Sequence, residues 1–522
     1  MPTVRRFLPH AVLFGLGLWL CRLYAPFQRP ITIDNQVYFY IAERVAAGVP
    51  PHISLVDHKH ALSSLLSGWA MLLGRFVGMD DVYSVRVLSM VLAATLPPAL
   101  WAVALQLTRR PIVAHLTAFV ALSFDDFFAQ AAMGVRSQLF MAVFMVYALA
   151  ALGSRRYATA GALAIASFLC WQPALVIFAS SCIAIALQRP SVTPRRALGR
   201  YVVGGLVMYL LYEGYFWYHG ALREQLFQAY GMPSDLSGYK YEPLKESLTF
   251  VLRDGRWGIG WAVIVPAVYL ALVALVTLEP LVRPLRVWER LRTNALAGAL
   301  AGASLLTLLF TLIDHQAYPD RFFIQPFVAL ANGLAWGMPL SWLCARIAGT
   351  QRSLGVASAS VFALGAFLVA ADTQTSFPAE RNITLNTQRE LANRAAALRR
   401  RYGPIWAIGC PHILALRRTG NYDSIGLVID PKVRNYMQSM AGEDGYRPRR
   451  GTMPVVLLTA RGGEGMAFPW LRREYYPAQD DLFVAQGIHP WLRKDCLVDR
   501  KCRALLECAI KPQCRPVAGQ RE

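Results

Sequence analysis

The feature that most constrains this chain is a succession of apolar runs, each close to a bilayer's thickness in helical length, separated by short basic clusters between residues 7 and 372. A run of ~20 apolar residues at 1.5 Å per residue matches the hydrocarbon core of a membrane. Only helices or closed barrels satisfy their backbone polar groups there, and continuous apolar runs select helices. Composition agrees. Of 522 residues 55% are hydrophobic and 16% charged, with a mean hydropathy of +0.35, which is too apolar for a soluble enzyme. The net charge of +21 raises the question of nucleic acid. The arginines, however, sit in clusters between the runs and in the C-terminal third, without a dense basic-aromatic stripe. That distribution fits topology and anionic lipid, and no nucleic-acid partner is expected.

The expected architecture is a polytopic α-helical membrane region over 1–372, with about eleven spans, followed by a soluble region over 373–522. The start, MPTVRRFLPHAVLFGLGLWLCRLYAP, reads as a retained signal anchor with Arg5 and Arg6 inside. Spans are expected near 7–25, 82–107, 111–128, 136–152, 157–170, 171–187, 199–219, 257–280, 294–313, 322–345 and 353–372. The run 61–78 decides the parity. Ser63, Ser64, Ser67 and Arg75 make it a poor span, and a crossing there would put Arg109, Arg110, Arg155 and Arg156 outside. Taken as non-spanning, it belongs to an interfacial segment 26–80 on the outer face. The loops 125–136, 220–256 and 314–321 and the C-terminal region then share that face, which makes the chain a multi-pass protein of a bacterial inner membrane with a periplasmic C-terminal domain.

Beyond residue 373, LNTQRELANRAAALRRRYG has the pattern of an amphipathic helix, and PIWAIGC, SIGLVI and PVVLLTA read as short strands of a small α/β domain. Cys496, Cys502, Cys508 and Cys514 recur every sixth residue, wider than common zinc-ligand pairs, and suggest two disulfides in an oxidising compartment. Cys410 has the setting of a buried thiol at a strand end.

Candidate chemistry lies in the outer segments. Asp34 follows the first span and precedes VYFYIAERVAAG, whose spacing suits a helix lying on the membrane surface with Tyr38, Tyr40, Ile41 and Val45 on its apolar side. Its carboxylate is either a general base for an acceptor hydroxyl or a cap for a helix starting near Val37. In DHKH, Asp57, His58 and Lys59 form a polar cluster in which Lys59 either neutralises a phosphate or snorkels beside an apolar segment. Asp125 and Asp126 are placed at the C-terminal end of a span, where they oppose the helix dipole. Arg321 opens a late span from the outer side, against the positive-inside tendency, and is a candidate anion binder. Tyr239 and Lys240 in the long loop offer sugar or headgroup contacts. A phosphate-cradling glycine loop is missing from the sequence, which disfavours a nucleotide-driven pump. The sequence requires no cofactor and leaves a divalent metal open.

The order of DNQVYFYIAERVAAGVPP, DHKHALSSLLSGWAMLLG, VRVLSMVLAATLPPALWAVAL, ALSFDDFFAQAAMGVRSQLF and YPDRFFIQPFVALANGLAW resembles the membrane glycosyltransferases of the GT-C fold. The similarity is to the branch of protein O-mannosyltransferases, lipid A aminoarabinose transferases and related bacterial Rgt-type enzymes, over residues 1 to about 345. The resemblance implies transfer of a hexosyl or pentosyl group from a polyprenyl-phosphate carrier to a lipid, glycan or protein acceptor. It implies that Asp34 activates the acceptor, that Lys59 binds the carrier phosphate and that Arg321 shares that role. Asn35 replaces a second acid often found beside the first, and Arg136 with Ser137 stand where the family has a further acid. Asp125 or Asp126 is the candidate substitute. Two other classes fit the composition, a transporter or flippase for a lipid-linked sugar and a non-catalytic envelope assembly protein. The first calls for ionisable groups in mid-span, of which Glu213 is the main candidate.

Overall fold

A computed structural model of the chain describes residues 2–31, 33–53, 55, 57–188, 194–231, 294–313, 321–348, 351–372, 384–402, 405–408, 410–419, 455–459, 475–477, 483–484 and 488–493. The membrane-region helices are α1 (Pro2–Leu23), α2 (Ile33–Ala46), α3 (Leu62–Phe76), α4 (Asp81–Ala94), α5 (Leu96–Thr108), α6 (Pro111–Leu122), α7 (Asp125–Met133), α8 (Ser137–Gly153) and α9 (Tyr157–Cys170). They continue with α10 (Leu175–Ala186), α11 (Pro194–Tyr218), the short α12 (Leu222–Leu226), α13 (Ala295–Ile313), α14 (Arg321–Ala348) and α15 (Gln351–Asp372). Their positions follow the apolar runs of the sequence. By length and composition, Asp81–Thr108 and Phe322–Ile347 can each cross a bilayer. The other apolar helices among the described residues are shorter, and the run 257–280 lies outside them.

Local chemistry sets the breaks. Asp80 caps α4, its carboxylate accepting from the Val82 amide at 2.9 Å. The apolar run from Pro111 onward does not continue as one straight helix to residue 128. It breaks at Ser123 and Phe124, and α6 and α7 meet at a 56° bend. Gly134 ends α7 with φ +122, a conformation side chains with a Cβ rarely adopt, and turns the chain into α8.

Contacts between helix ends sort the segments into two sides. The amide of Ala61 donates to the Tyr212 hydroxyl at 2.9 Å, Gln172 donates to the His58 carbonyl at 2.8 Å, and the Ser63 and Ser137 hydroxyls meet at 2.9 Å. Buried Arg86 donates to the carbonyls of Pro26, Pro30 and Met133, joining the segment after α1 to the end of α7. At the opposite end Gln106 donates to the Ser154 hydroxyl at 2.9 Å. One end of the bundle therefore gathers the polar segments 24–31, 52–60, 123–137, 171–174 and 219–231.

The helix expected to lie on a surface is instead enclosed. Every residue of α2 from Val37 to Ala46 is buried, including Glu43 and Arg44, because α3 closes one side and the C-terminal segment another. Burial pushes the Glu43 carboxyl up, against the pull of Arg44 and Arg75. The close approach of α2 and α3 requires Gly68, where a Cβ would meet Val45 at 2.5 Å.

The C-terminal segment contributes α16 (Leu385–Tyr402), α17 (His412–Ala415) and a mixed four-stranded sheet in the order β1-β2-β4-β3. Here β1 (Ile405–Ile408) runs parallel to β2 (Val455–Thr459), and β4 (Ile488–Arg493) is antiparallel to both β2 and β3 (Tyr475–Pro477). Cys410 is fully buried just past β1 as expected, and burial pushes its thiol up to about 12. SIGLVI and the four tail cysteines lie outside the described residues. This segment docks on the polar end. The Leu385 amide donates to the Gln28 carbonyl at 2.9 Å, and the Gln388 side chain brackets Ile31, accepting from its amide at 2.7 Å and donating to its carbonyl at 3.0 Å.

Candidate active site

The polar end is built around the segment His52–His60, folded back on α2. Gln228, in the π-helical turn Phe227–Gly231, holds it from one side. Its amide oxygen accepts from the Asp57 backbone at 3.1 Å and meets His52 Nδ1 at 3.2 Å, while its nitrogen donates to the His52 carbonyl at 2.8 Å. Asp57 is buried, and its Oδ1 accepts the Lys59 amide at 3.1 Å with His58 Nδ1 at 3.9 Å. Both ends of the DHK stretch are therefore fixed, and the Lys59 side chain leaves the turn in one direction. Its Nζ donates to the Tyr38 hydroxyl at 3.3 Å.

Tyr38 stands four residues after Asp34 on α2, and positions i and i+4 share a helix face. The loop cation and the candidate base position are thus brought to one strip of the same helix. Asp34 lies in the first turn of α2, which starts at Ile33, so it does not occupy the cap of a helix starting near Val37. A carboxylate in a first turn is favoured by the helix dipole.

The two other acids change place relative to the sequence reading. Asp125 and Asp126 do not sit at a helix C-terminus; they begin α7, where the dipole favours them, because the chain breaks at Phe124 and starts a new helix. Gln130 donates to Asp126 Oδ1 at 3.4 Å from one turn on. Arg321 is the first residue of α14, and its neighbour Phe322 packs its ring on Phe127 at 5.6 Å, so the starts of α7 and α14 meet. The Arg136 guanidinium lies 5.4 Å over the Phe322 ring. Arg136, which stands where the resemblance has an acid, is thus a cation at the rim. Trp171 and Phe323, 6.5 Å apart, continue the rim to Gln172, which holds His58. Tyr239 and Lys240 lie outside the described residues, as do the side chains of Asp34, Asp125 and Arg321.

Sequence reading missed the supports. Gln172, Tyr212, Gln225 and Gln228 are ordinary polar residues in apolar surroundings, and nothing in their spacing marks them. The only hint is that polar groups placed in apolar helix ends need partners. Burial also sets the state of the loop's histidines. It lowers the His52 imidazole to about 4 and that of His60 to about 3, so both are neutral at ordinary pH. Among the described residues no group of three His, Cys, Asp or Glu side chains is placed to hold a metal ion.

No known family matches the sequence, and no curated protein matches it. Similarity lies in solved structures. ArnT from Cupriavidus metallidurans in the apo state superposes with a TM-score of 0.52 at 13% identity, covering 92% of this chain and 97% of that one. The Archaeoglobus fulgidus oligosaccharyltransferase, tethered with an acceptor peptide containing the NVT sequon, superposes with a TM-score of 0.50 at 12% identity, covering 95% of this chain and 75% of that one. The order of short motifs and these two superpositions agree: the chain has the GT-C fold.

Proposed function

We propose that the protein is an integral membrane glycosyltransferase that moves a sugar from a polyprenyl-phosphate donor to an acceptor at the face where its polar end lies. The observation that carries the reading is the placement of Lys59, through Tyr38, on the helix face that also bears Asp34. A cation and an acid at one membrane face are what the reaction needs. The Asp34 carboxylate takes the proton of the acceptor hydroxyl, whose oxygen attacks the anomeric carbon. The bond from that carbon to the carrier phosphate breaks, and Lys59 stabilises the departing phosphate, with Arg321 as its partner. Direct displacement inverts the anomeric centre and needs no covalent enzyme intermediate. Asp125 or Asp126, at the start of α7, is the second candidate for the acid. The basic clusters support a reading with the N-terminus in the cytoplasm and the polar end, with the C-terminal sheet, in the periplasm.

The test is transfer from radiolabelled polyprenyl-phosphate sugars to a panel of acceptors in membranes holding wild-type protein or Asp34→Asn at matched expression. Transfer by the wild type, reduced ~100-fold or more in the variant, is expected for a general base. Equal activity in both moves the base to Asp125 or Asp126. No transfer with any donor overturns the reading.

A further inference from the structure

The contacts at the polar end close into a ring. His58 and Lys59 lead through the start of α3 to Ser63, whose hydroxyl meets that of Ser137 at 2.9 Å. Arg136, the neighbour of Ser137, lies 5.4 Å over the Phe322 ring, and Phe323 reaches Trp171 at 6.5 Å. Gln172 then returns to the His58 carbonyl at 2.8 Å. The serines and phenylalanines of this ring are buried, whereas His58, Lys59, Arg136, Trp171 and Gln172 keep part of their surface open. Two cations therefore stand on separate arcs of one rim, and the chemistry above uses only Lys59 of the two.

The helix that follows Arg136 adds to the positive field. Arg136 precedes the 17-residue α8, which no side chain caps, and the N-terminal end of a helix favours an anion. Asp57, the acid nearest Lys59 in the chain, is buried and engaged within its own turn, accepting the Lys59 amide with His58 at 3.9 Å. Charge then separates two kinds of carrier linkage. A sugar joined to a polyprenol through one phosphate is a diester with a single negative charge, and joined through a diphosphate it carries two. One cation answers the first. Two cations set apart on one rim match the second, because each meets its own phosphoryl group. On transfer the bond from the anomeric carbon breaks with its electron pair on the departing oxygen, while the acceptor proton passes to Asp34. The diphosphate thereby gains a third charge, and a second cation stabilises it.

We propose that Arg136 is a second phosphate-binding residue and that the donor sugar is linked to its polyprenol through a diphosphate. The inference rests on the glycosyltransferase reading above and names its carrier. The test is binding of undecaprenyl phosphate and undecaprenyl diphosphate, both without sugar, to the purified full-length protein, read by native mass spectrometry and thermal unfolding. The wild type is expected to hold the diphosphate ~10-fold more tightly, about the worth of one hydrogen bond between charged groups. Arg136→Gln is expected to remove that preference and leave binding of the monophosphate unchanged. Arg136→Met, which keeps an apolar stem over Phe322, reads the same difference where the glutamine variant does not fold. Lys59→Met is expected to weaken both lipids alike. Equal binding of the two lipids by the wild type overturns the proposal, whether or not the variants fold, and leaves the transferase reading standing. A preference that survives removal of the Arg136 charge also overturns it, as does an equal loss of both lipids in a folded Arg136 variant. Failure of the wild type to hold either lipid removes the phosphate-carrier reading itself, and this inference with it.

Discussion

Two polar clusters at the same end of the bundle are held by opposite means. The His52–His60 segment is fixed largely by neutral groups, with Gln228 and Gln172 binding its backbone and the Tyr212 hydroxyl accepting from the next amide, that of Ala61. The junction at Asp81 is fixed by charge. Arg75 grips the Asp81 carboxylate through two nitrogens at 2.8 and 2.9 Å, and Arg418 grips it from the C-terminal segment at 3.0 and 3.1 Å. Arg389 adds a contact to Asp80 at 3.2 Å. In the junction the charges are used on one another, and their product is attachment of the sheet region to α4. In the loop, neutral groups hold the backbone, and the Lys59 Nζ donates to the Tyr38 hydroxyl on the helix that bears Asp34. Number of charges alone does not mark a site; how the scaffold is held does.

Breaking this contrast starts with Lys59→Met. Removing the cation is expected to weaken binding of the lipid-phosphate donor ~10- to 100-fold, the worth of a hydrogen bond to a charged group. Donor titration by fluorescence or calorimetry reads it, and the melting temperature should stay near wild type. Donor affinity unchanged in the variant removes Lys59 from the phosphate role.

The opposite behaviour is expected at the junction. Asp81→Asn leaves Arg75 and Arg418 facing each other and should cost about 3 kcal/mol, the low end for breaking a buried pair because Arg418 is half-exposed. Limited proteolysis should then cut the segment after Asp372 faster, with transfer per folded molecule retained. A variant with wild-type protease resistance would show that Asp81 does not hold the segment.

Between these lies the neutral clamp. Gln228→Leu strips partners from His52 and the Asp57 amide and should lower stability by about 2 kcal/mol, with donor affinity falling alongside because the DHK stretch loses its support. Thermal unfolding and donor titration on one preparation separate the two effects. Loss of stability with full affinity would mean that the loop holds its shape without the clamp.

The smallest effect is with pH. Folded His52 titrates near about 4 and the unfolded imidazole near 6.5, so between these values the unfolded chain binds a proton that the folded chain refuses. The contribution is complete above 6.5 and is lost as pH falls toward 4. His52→Gln should accordingly flatten the fall in melting temperature between pH 7.5 and 5, and an unchanged slope would assign it to other groups, such as buried His60 and His412.

Much of the fold was legible because apolar periodicity and Pro or Gly breaks are written locally. The ends of α8, α9 and α14 fall within a few residues of the apolar runs that announce them. The placement of Asp125 and Asp126 was not legible, because a run continuing to residue 128 conceals a break that tertiary packing makes at Phe124. The burial of α2 was hidden for a related reason. Its apolar side predicts one buried face, and the C-terminal segment, more than 300 residues away, covers another. Strand β4 escaped notice because Pro490 sits inside it. Pairing with β3 begins only at Trp491, so at Pro490 the strand has β2 on one side and tolerates a missing donor. Within the site, Asp34 and Lys59 stood out as ions beside apolar runs, whereas the glutamines that support them carry no such mark.

The most direct test sets the two clusters side by side. Lys59→Met and Arg418→Met each remove one cation from the polar end, and transfer per folded molecule and melting temperature are measured for both with the same polyprenyl-phosphate donor. The expected result is transfer reduced ~10-fold or more at an unchanged melting temperature for Lys59→Met, with the reverse pattern for Arg418→Met. Equal loss of transfer in both, or loss only in Arg418→Met, would contradict a site built on Lys59.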